Sequence, residues 1–405
     1  MNASKKVSLN DNRAAMILGA LAASAVILAA CAPAPPVAAP AAAPAAGTSG
    51  QATAAPAAAA GAADPMIDEA KKIATAASSQ VKDWNGPTSG PKAAAGKFVV
   101  SVGSDLNNGG VLGVTKGAEE ASAAIGWKFQ SLDGKGTLAG QTAALEQAIA
   151  LKPDGIIVNG IDAASVKDVL KKAADAGIKL VGWHAGPKPA LPGYSLPANI
   201  VSDPIETSKV AAKYVIAVTG GKANVVIFTD STYQIAVDKA RAMEAEIKAC
   251  KTCKVLEFVD TPLAETSTRM GPLVTNLKQK YGDEMNWMMG INDLYFDFAS
   301  PGLKSIGVAP SGPPLSISAG DGSESAYARI RDGQYQAATI PEPLNLHGWM
   351  AIDELNRAIA GEKPSGFAMG IHLVTKDNIG ADGGPKNVFD PDNGYRDQYK
   401  KIWGK

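Results

Sequence analysis

Polar side chains stand just past one short apolar run after another. Ser104, Asp105, Asn107 and Asn108 follow residues 98–102, Asn159 and Asp162 follow 155–158, and His184 follows 178–183. Later runs lead to Asp230, Ser231 and Tyr233, then Thr261, then Asn292 and Asp293, then Asp321, then Glu342. Most are uncharged or acidic groups that donate and accept hydrogen bonds at fixed angles. That chemistry recognises a neutral, hydroxyl-rich ligand. Any one of them is equally at home as a turn former or helix N-cap, so the binding reading rests on the set.

Signals of catalysis are weak. There is no Gly-Lys-Ser/Thr phosphate loop, no G-x-S-x-G elbow, and no G-x-G-x-x-G after the first apolar run. His184 could serve as a general base, yet no Ser or Cys nucleophile stands beside it. His347 and His372 occupy ordinary helix and strand positions. Three histidines and three cysteines give little to build a metal centre from, so no metal and no cofactor is expected. The run Asp390-Pro391-Asp392-Asn393-Gly394 resembles a calcium loop but lacks the closing Glu, and reads as a turn. Cys250 and Cys253 flank a helix-to-strand loop. In an exported chain they are expected to close a small disulfide. The redox alternative needs a cysteine at a helix N-terminus, and this pair lies at a C-terminus.

Side chains recurring at strand ends need a scaffold that brings those ends together. Continuous apolar runs bounded by Gly and Pro and spaced by helical segments predict parallel strands buried on both faces. Strands are expected at 98–102, 127–132, 155–158 and 178–183, with helices at 112–125, 138–151 and 163–176. After a loop holding Pro187, Pro189, Pro192 and Pro197 the alternation restarts. Helices are expected at 204–218, 235–249, 265–281, near Tyr295, 323–331 and 344–360, with strands at 223–228, 255–259, 287–291, 315–319, 337–340 and 371–374. This is an α/β chain of two successive doubly wound units, whose ligands bind outside the carboxyl ends of the strands. An earlier helix, 64–81, opens on Asp64-Pro65 as N-cap and first helical residue, and a Gly/Pro-rich stretch, 84–91, follows it.

The 405 residues carry 39 Lys plus Arg against 39 Asp plus Glu, a formal charge of zero. That excludes a nucleic-acid binder working by phosphate neutralisation and a polybasic membrane-surface protein. The length suits two domains. Lys5, Lys6 and Arg13 precede an apolar run from Ala14 to Ala30, the pattern of a secretory signal; a retained signal anchor is the alternative. Leu28-Ala29-Ala30-Cys31 resembles the lipobox of bacterial lipoproteins, which implies lipidation at Cys31 and a membrane anchor. Residues 32–63 are nearly all Ala, Pro, Gly, Ser and Thr and uncharged. They read as a semi-rigid tether, because recurrent prolines break the helix that alanine favours.

Several fragments share an order and spacing with a known family. They are Lys116-Gly117-Ala118-Glu119-Glu120-Ala121, the stretch from Gln141 through Lys152-Pro153-Asp154-Gly155 to Asn159, Ala174-Asp175-Ala176-Gly177-Ile178, Val201-Ser202-Asp203, Gly290-Ile291-Asn292-Asp293, Ala319-Gly320-Asp321-Gly322, and Asp332-Gly333-Gln334-Tyr335 to Ile340. From about Phe98 to Val374 the chain resembles the periplasmic sugar-binding proteins of the ribose-binding type, class I substrate-binding components of ABC transporters. The resemblance implies the type I fold of periplasmic binding proteins: two doubly wound parallel-sheet lobes joined by three crossovers, with the ligand in the cleft between them. It carries site roles onto Ser104, Asn108, Asn159, Asn292 and Asp321. The chain departs from the pattern elsewhere. Gly110 and Val111 stand where ribose-type members have two stacking Phe, His184-Ala185 stands for their Asp-Arg, a later arginine is replaced near Val237 or Lys239, and Glu342 replaces a crossover Gln. Ribose itself is therefore not the expected ligand.

Five segments are expected: residues 1–30 as signal peptide, 31–63 as tether, 64–96 as N-terminal helix and Gly/Pro segment, 97–203 with 343–372 as N-terminal lobe, and 204–342 with 373–405 as C-terminal lobe and tail. The expected ligand-binding set is Ser104, Asp105, Asn108, Asn159, His184, Tyr233, Asn292, Asp321 and Glu342. The expected role is a non-enzymatic, monomeric, lipid-anchored periplasmic protein that captures a sugar or polyol and delivers it to an ABC permease in the inner membrane. A periplasmic sensor for a signalling receptor is the alternative. A DNA-binding repressor sharing the core would need a helix-turn-helix where the export signal stands.

Overall fold

The computed structural model describes residues 64–383 and 386–405. The expected signal peptide, the lipidation site Cys31 and the tether lie outside the described residues. Asp64 caps the first helix, α1 (Pro65–Ala77), by accepting from the Met66 amide at 3.0 Å, with Pro65 at the position that needs no amide proton.

Strands β1 (Phe98–Gly103), β2 (Lys128–Asp133), β3 (Gly155–Asn159), β4 (Lys179–Trp183) and β5 (Asn199–Ile200) form a parallel sheet in the order β2-β1-β3-β4-β5. Helices α2 (Gly109–Ile125), α3 (Leu138–Ala150) and α4 (Lys167–Asp175) connect them. Alternate residues supply opposite faces of this sheet, as the strand period demands. Val99, Ile157 and Val181 join one core cluster, and Val100, Val102, Ile156, Val158 and Leu180 join the other. Burial on both faces is why these runs read as continuously apolar. Each enclosed Val, Leu or Ile contributes roughly 1.5–3 kcal/mol.

The chain crosses at Ser202-Asp203 into α5 (Pro204–Val218), which Asp203 caps through the Ile205 and Glu206 amides. There follow β6 (Asn224–Thr229), α6 (Gln234–Ala249), β7 (Lys254–Asp260), α7 (Thr266–Tyr281), β8 (Trp287–Gly290), α8 (Leu294–Ser305), β9 (Leu315–Ser318), α9 (Glu324–Asp332) and β10 (Gln336–Thr339). A second crossover at Pro341-Glu342-Pro343 returns to α10 (Leu344–Ala360), which packs on α2 and β4 of the first lobe. A third leads to β11 (Val374–Thr375), antiparallel to β10, completing a six-stranded sheet ordered β11-β10-β9-β8-β6-β7. Helices α11 (Ile379–Asp382) and α12 (Tyr395–Trp403) end the chain. The expected fold of two doubly wound parallel sheets is present, and Cys250 and Cys253 form a disulfide between α6 and β7.

Three features differ from expectation. Strand β5 has only two residues, too few for an apolar run to announce it. Helix α1 packs on α5, with Ala70 in the core of the C-terminal lobe. The expected grouping of 373–405 with that lobe is corrected at its end, because α12 packs on α10 and α2. Trp403 stacks on Trp349 at 5.4 Å and donates its indole N–H to Asp353 at 2.8 Å. Trp84, from the segment after α1, packs against Tyr399 and Phe367 beside it.

Candidate functional site

Both sheets turn their carboxyl ends toward one cleft, lined from the N-terminal lobe by Ser104, Asp105, Asn108 and His184 and from the C-terminal lobe by Tyr233, Lys239, Asn292 and Asp321. Apolar walls come from Val111 and Trp183 on one side and Leu263, Ile291 and Leu294 on the other. Among the described residues, no group of three or more His, Cys, Asp and Glu is arranged to hold a metal ion.

Local structure decides what each polar group can still offer. Asn108 follows β1 and caps α2, its Oδ1 accepting from the Gly110 and Val111 amides at 2.9 and 3.3 Å. Asn292 follows β8, and its Oδ1 accepts from the Leu294 amide at 3.1 Å. Both carbonyl oxygens are thereby committed, so each asparagine has its NH₂ left to donate. Asp105 is partly engaged, because one carboxylate oxygen accepts from both nitrogens of Asn107.

Charge enters from the C-terminal lobe. Lys239 lies on α6, on the stripe that also buries Ala236, Ala240 and Met243, and donates to the Ala319 carbonyl at 2.7 Å. Asp321 follows β9. Burial pushes its carboxyl up to about 7, with nearby Lys239 opposing and Asp293 and Glu342 adding to the rise. Asp293 sits behind it, 1% exposed, accepting from the Gly322 and Ser323 amides at 2.7 and 3.2 Å and from Gln336 at 2.6 Å and Ser318. It therefore fixes the backbone that presents Asp321. Burial raises the Asp293 carboxyl as well, against these hydrogen bonds and the charge of Arg329.

Two of the expected ligand residues lie one layer behind the cavity. Asn159 is fully buried, and its NH₂ donates to the Val111 carbonyl and the Thr115 hydroxyl at 3.0 Å each, pinning α2 to β3. Glu342, on the second crossover, accepts from the Ser202 hydroxyl of the first crossover at 2.6 Å, and its other oxygen lies 3.4 Å from His184 Nε2. The remaining seven, Ser104, Asp105, Asn108, His184, Tyr233, Asn292 and Asp321, do converge on the cleft. Lys239, noted in sequence only as a replacement for an arginine, joins them.

The lobes are closed on each other. Gln141 Nε2 of α3 donates to the Tyr233 hydroxyl at 3.2 Å, and the Gln234 amide donates to Asp162 at 3.4 Å. At the first turn of α2, a Cβ on Gly110 would sit 2.5–2.6 Å from the Asp321 side chain, and one on Gly109 would sit 2.6 Å from Ser323 Cβ. Only glycine allows this approach.

A family model described as a periplasmic binding protein domain matches residues 98–363, a span covering every residue of the cleft. The chain belongs to that family. Solved structures similar to this periplasmic binding protein include an ABC transporter solute-binding protein from Agrobacterium vitis bound with α-D-tagatopyranose, at 19% identity and TM-score 0.63, covering 72% of this chain and 99% of that one. Another, from Mycobacterium smegmatis with bound glycerol, has 19% identity, TM-score 0.63 and 73% and 99% coverage. The glucose-galactose binding protein GanP from Geobacillus stearothermophilus has 19% identity, TM-score 0.61 and 71% and 99% coverage. No curated protein matches by sequence. The two-lobed frame of these periplasmic binding proteins is thus shared, while side chains must be read from this chain itself.

Proposed function

We propose that the protein captures a neutral sugar or polyol between its lobes and delivers it to an ABC permease, with no bond broken. One observation carries this reading: polar side chains of both lobes, most of them at strand ends, converge on one cleft, and their free valences are those a polyhydroxylated ligand satisfies. The NH₂ groups of Asn108 and Asn292 and the ammonium of Lys239 donate to ligand oxygens. Asp321 accepts from a hydroxyl, and the apolar walls cover the carbon skeleton. Asn159 and Glu342 act behind this layer. Ligands named for the similar structures, tagatose and glycerol among them, are of this class.

The reading extends to location. The family is extracytoplasmic, and a disulfide suits an oxidising compartment. Acylation of Cys31 and the uncharged tether would hold a monomeric body near the bilayer. Calorimetric titration of the full chain with D-tagatose, D-arabinose, allitol and glycerol tests the ligand class. Binding of at least one, lost in Asp321→Ala, is expected; silence across the panel would overturn the sugar assignment. Mass spectrometry of the chain expressed in a bacterial host tests the anchor, since an unacylated Cys31 would remove it.

A further inference from the structure

His184 is held in an unusual way for a residue at a strand end. Its backbone sits in the left-handed region, φ 48°, while its amide donates to the Ile200 carbonyl at 3.0 Å. Such a conformation is uncommon outside glycine and points to a functional constraint. The ring lies flat on Trp183, 3.9 Å between centroids and 6° from parallel. Trp183 is itself fixed, donating its indole N–H to His347 Nδ1 of α10 at 3.0 Å. The two ring nitrogens of His184 then meet different surroundings. Nε2 is enclosed and has no aligned partner in this closed form, with the Glu342 carboxylate 3.4 Å away. Nδ1 has no protein partner among the described residues, and the residue lines the cleft.

We infer that Glu342 is a positioning residue for His184: it draws the imidazole proton onto Nε2 and leaves Nδ1 as a bare acceptor in the cleft, so that the N-terminal lobe reads a ligand O–H or N–H at that point. The inference deepens the sugar-or-polyol reading and rests on it for the ligand's side of the contact. A neutral imidazole has one donor and one acceptor nitrogen, and a neighbouring carboxylate decides which is which. Glu342 is suited to that task because the Ser202 hydroxyl holds its other oxygen, and because it bridges two crossovers where the lobes move. The Asn and Lys groups of the cleft mostly donate, so an acceptor on the N-terminal side lets one ligand hydroxyl accept from an amide and donate to His184. A ligand with that hydroxyl removed or methylated loses the second bond.

The electrostatics agree with this arrangement. Burial holds the His184 pKa below the ordinary histidine value, with Glu342 opposing and the charge of Lys239 adding to the lowering. Burial likewise lowers His347, to about 4. Burial works to raise Glu342, but His184, His347 and Lys239 hold it below the carboxylate range. The groups facing His184 are thus Glu342 from the second crossover, Lys239 from α6 and His347 from α10. Around neutral pH the pair is an ionised Glu342 and a neutral His184.

The test is nitrogen NMR of the full chain labelled at its three histidines, with His347→Gln and His372→Gln for assignment. The ligand-free protein should show His184 protonated on Nε2 and bare on Nδ1, and Glu342→Gln should shift protonation toward Nδ1. An Nδ1–H tautomer in the wild type overturns the proposal, as does a tautomer unmoved in a folded Glu342→Gln. If the glutamine variant does not fold, Glu342→Asp, which draws the carboxylate back from Nε2, should shift protonation toward Nδ1, and an unmoved tautomer there overturns the assignment. Adding the panel member that binds by calorimetry should shift the Nδ1 resonance, and Glu342→Gln should weaken that ligand about tenfold. A resonance unmoved on binding overturns the acceptor role. Silence of the wild type toward the whole panel would sink the sugar reading alone, since the tautomer is read without ligand.

Discussion

On the N-terminal side of the cleft, polar groups are largely committed to their own lobe. Asn108 caps α2, Asp105 turns back on Asn107, and the Asn159 NH₂ is spent tying α2 to β3. On the C-terminal side, Lys239 makes one bond to a backbone carbonyl, and the Asp321 carboxylate accepts none from the described residues. One half of the site is thus a shaped surface whose carboxylate, Asp105, is already drawn onto its own turn. The other carries an ammonium and a carboxyl whose remaining hydrogen-bonding capacity is left for a ligand. Shape should therefore govern whether the lobes can close, and charge should govern how tightly they hold.

Gly110 is the sharpest test of the shaped half. A Phe there would drive its Cβ into Asp321 of the opposite lobe. Gly110→Phe should therefore fold normally yet lose about 100-fold or more in affinity, since overpacking at a closed contact has no room to relax. Calorimetry with the panel reads the loss, and small-angle scattering should show no compaction on adding ligand. Retained closure would mean that the two halves do not meet as described.

Asp321→Asn tests the charged half. It keeps the shape but replaces an ionic acceptor, so affinity should fall about tenfold to 100-fold. Its pH signature is distinctive. A carboxyl raised to about 7 from its ordinary 3.8 binds a proton more readily in the folded state. The protein therefore loses stability as pH rises from about 4 to about 7, then levels off. His347, lowered to about 4, works oppositely: its contribution is lost as pH falls from about 6.5 to about 4. In the wild type the two slopes oppose each other. Asp321→Asn should remove the first, so its melting temperature should climb more steeply across pH 4–6.5. Parallel wild-type and variant curves would count against a buried Asp321.

The same contrast explains what was legible beforehand. Helices α5 and α10 begin and end as expected because Asp203-Pro204 and Gly361 mark their limits in the sequence. Helix α2 begins three residues earlier than the apolar pattern suggests, because Asn108 caps a Gly-Gly turn that looks poor for helix. Helix α12 went unforeseen, although Tyr395, Tyr399 and Trp403 recur every four residues along a single face. The strand-end rule located the seven cleft residues but gives position along a sheet, not depth. It could not tell that Asn159 and Glu342 lie a layer behind. Lys239 sits mid-helix, where that rule does not look; its signal was a lysine in the buried, alanine-rich stripe of α6.

Depth makes Asn159 a different kind of test. Asn159→Ala removes two buried hydrogen bonds at 3.0 Å but no ligand contact. Stability should drop by about 2 kcal/mol, read by denaturant unfolding. Affinity should fall only a few-fold, through a slight shift of the α2 cap. An affinity loss matching that of Asp321→Asn would put Asn159 among the ligand contacts after all.

The smallest expected effect lies where the halves touch without a charge between them. Gln141 of the N-terminal lobe donates to Tyr233, a cleft-lining residue of the C-terminal lobe, at 3.2 Å. Burial raises the Tyr233 hydroxyl above its ordinary pKa, so it stays protonated at neutral pH and the bond is one between neutral groups. Such a bond is worth roughly 0.5–1.5 kcal/mol. It exists only when the lobes are closed, so Tyr233→Phe should weaken binding about threefold and leave the stability of the ligand-free protein unchanged. The loss should appear in the dissociation rate, because capture by one lobe precedes the latch whereas release requires breaking it. Stopped-flow displacement separates the two rates. A slowed association with unchanged dissociation would mean that Tyr233 meets the ligand directly instead of latching the lobes.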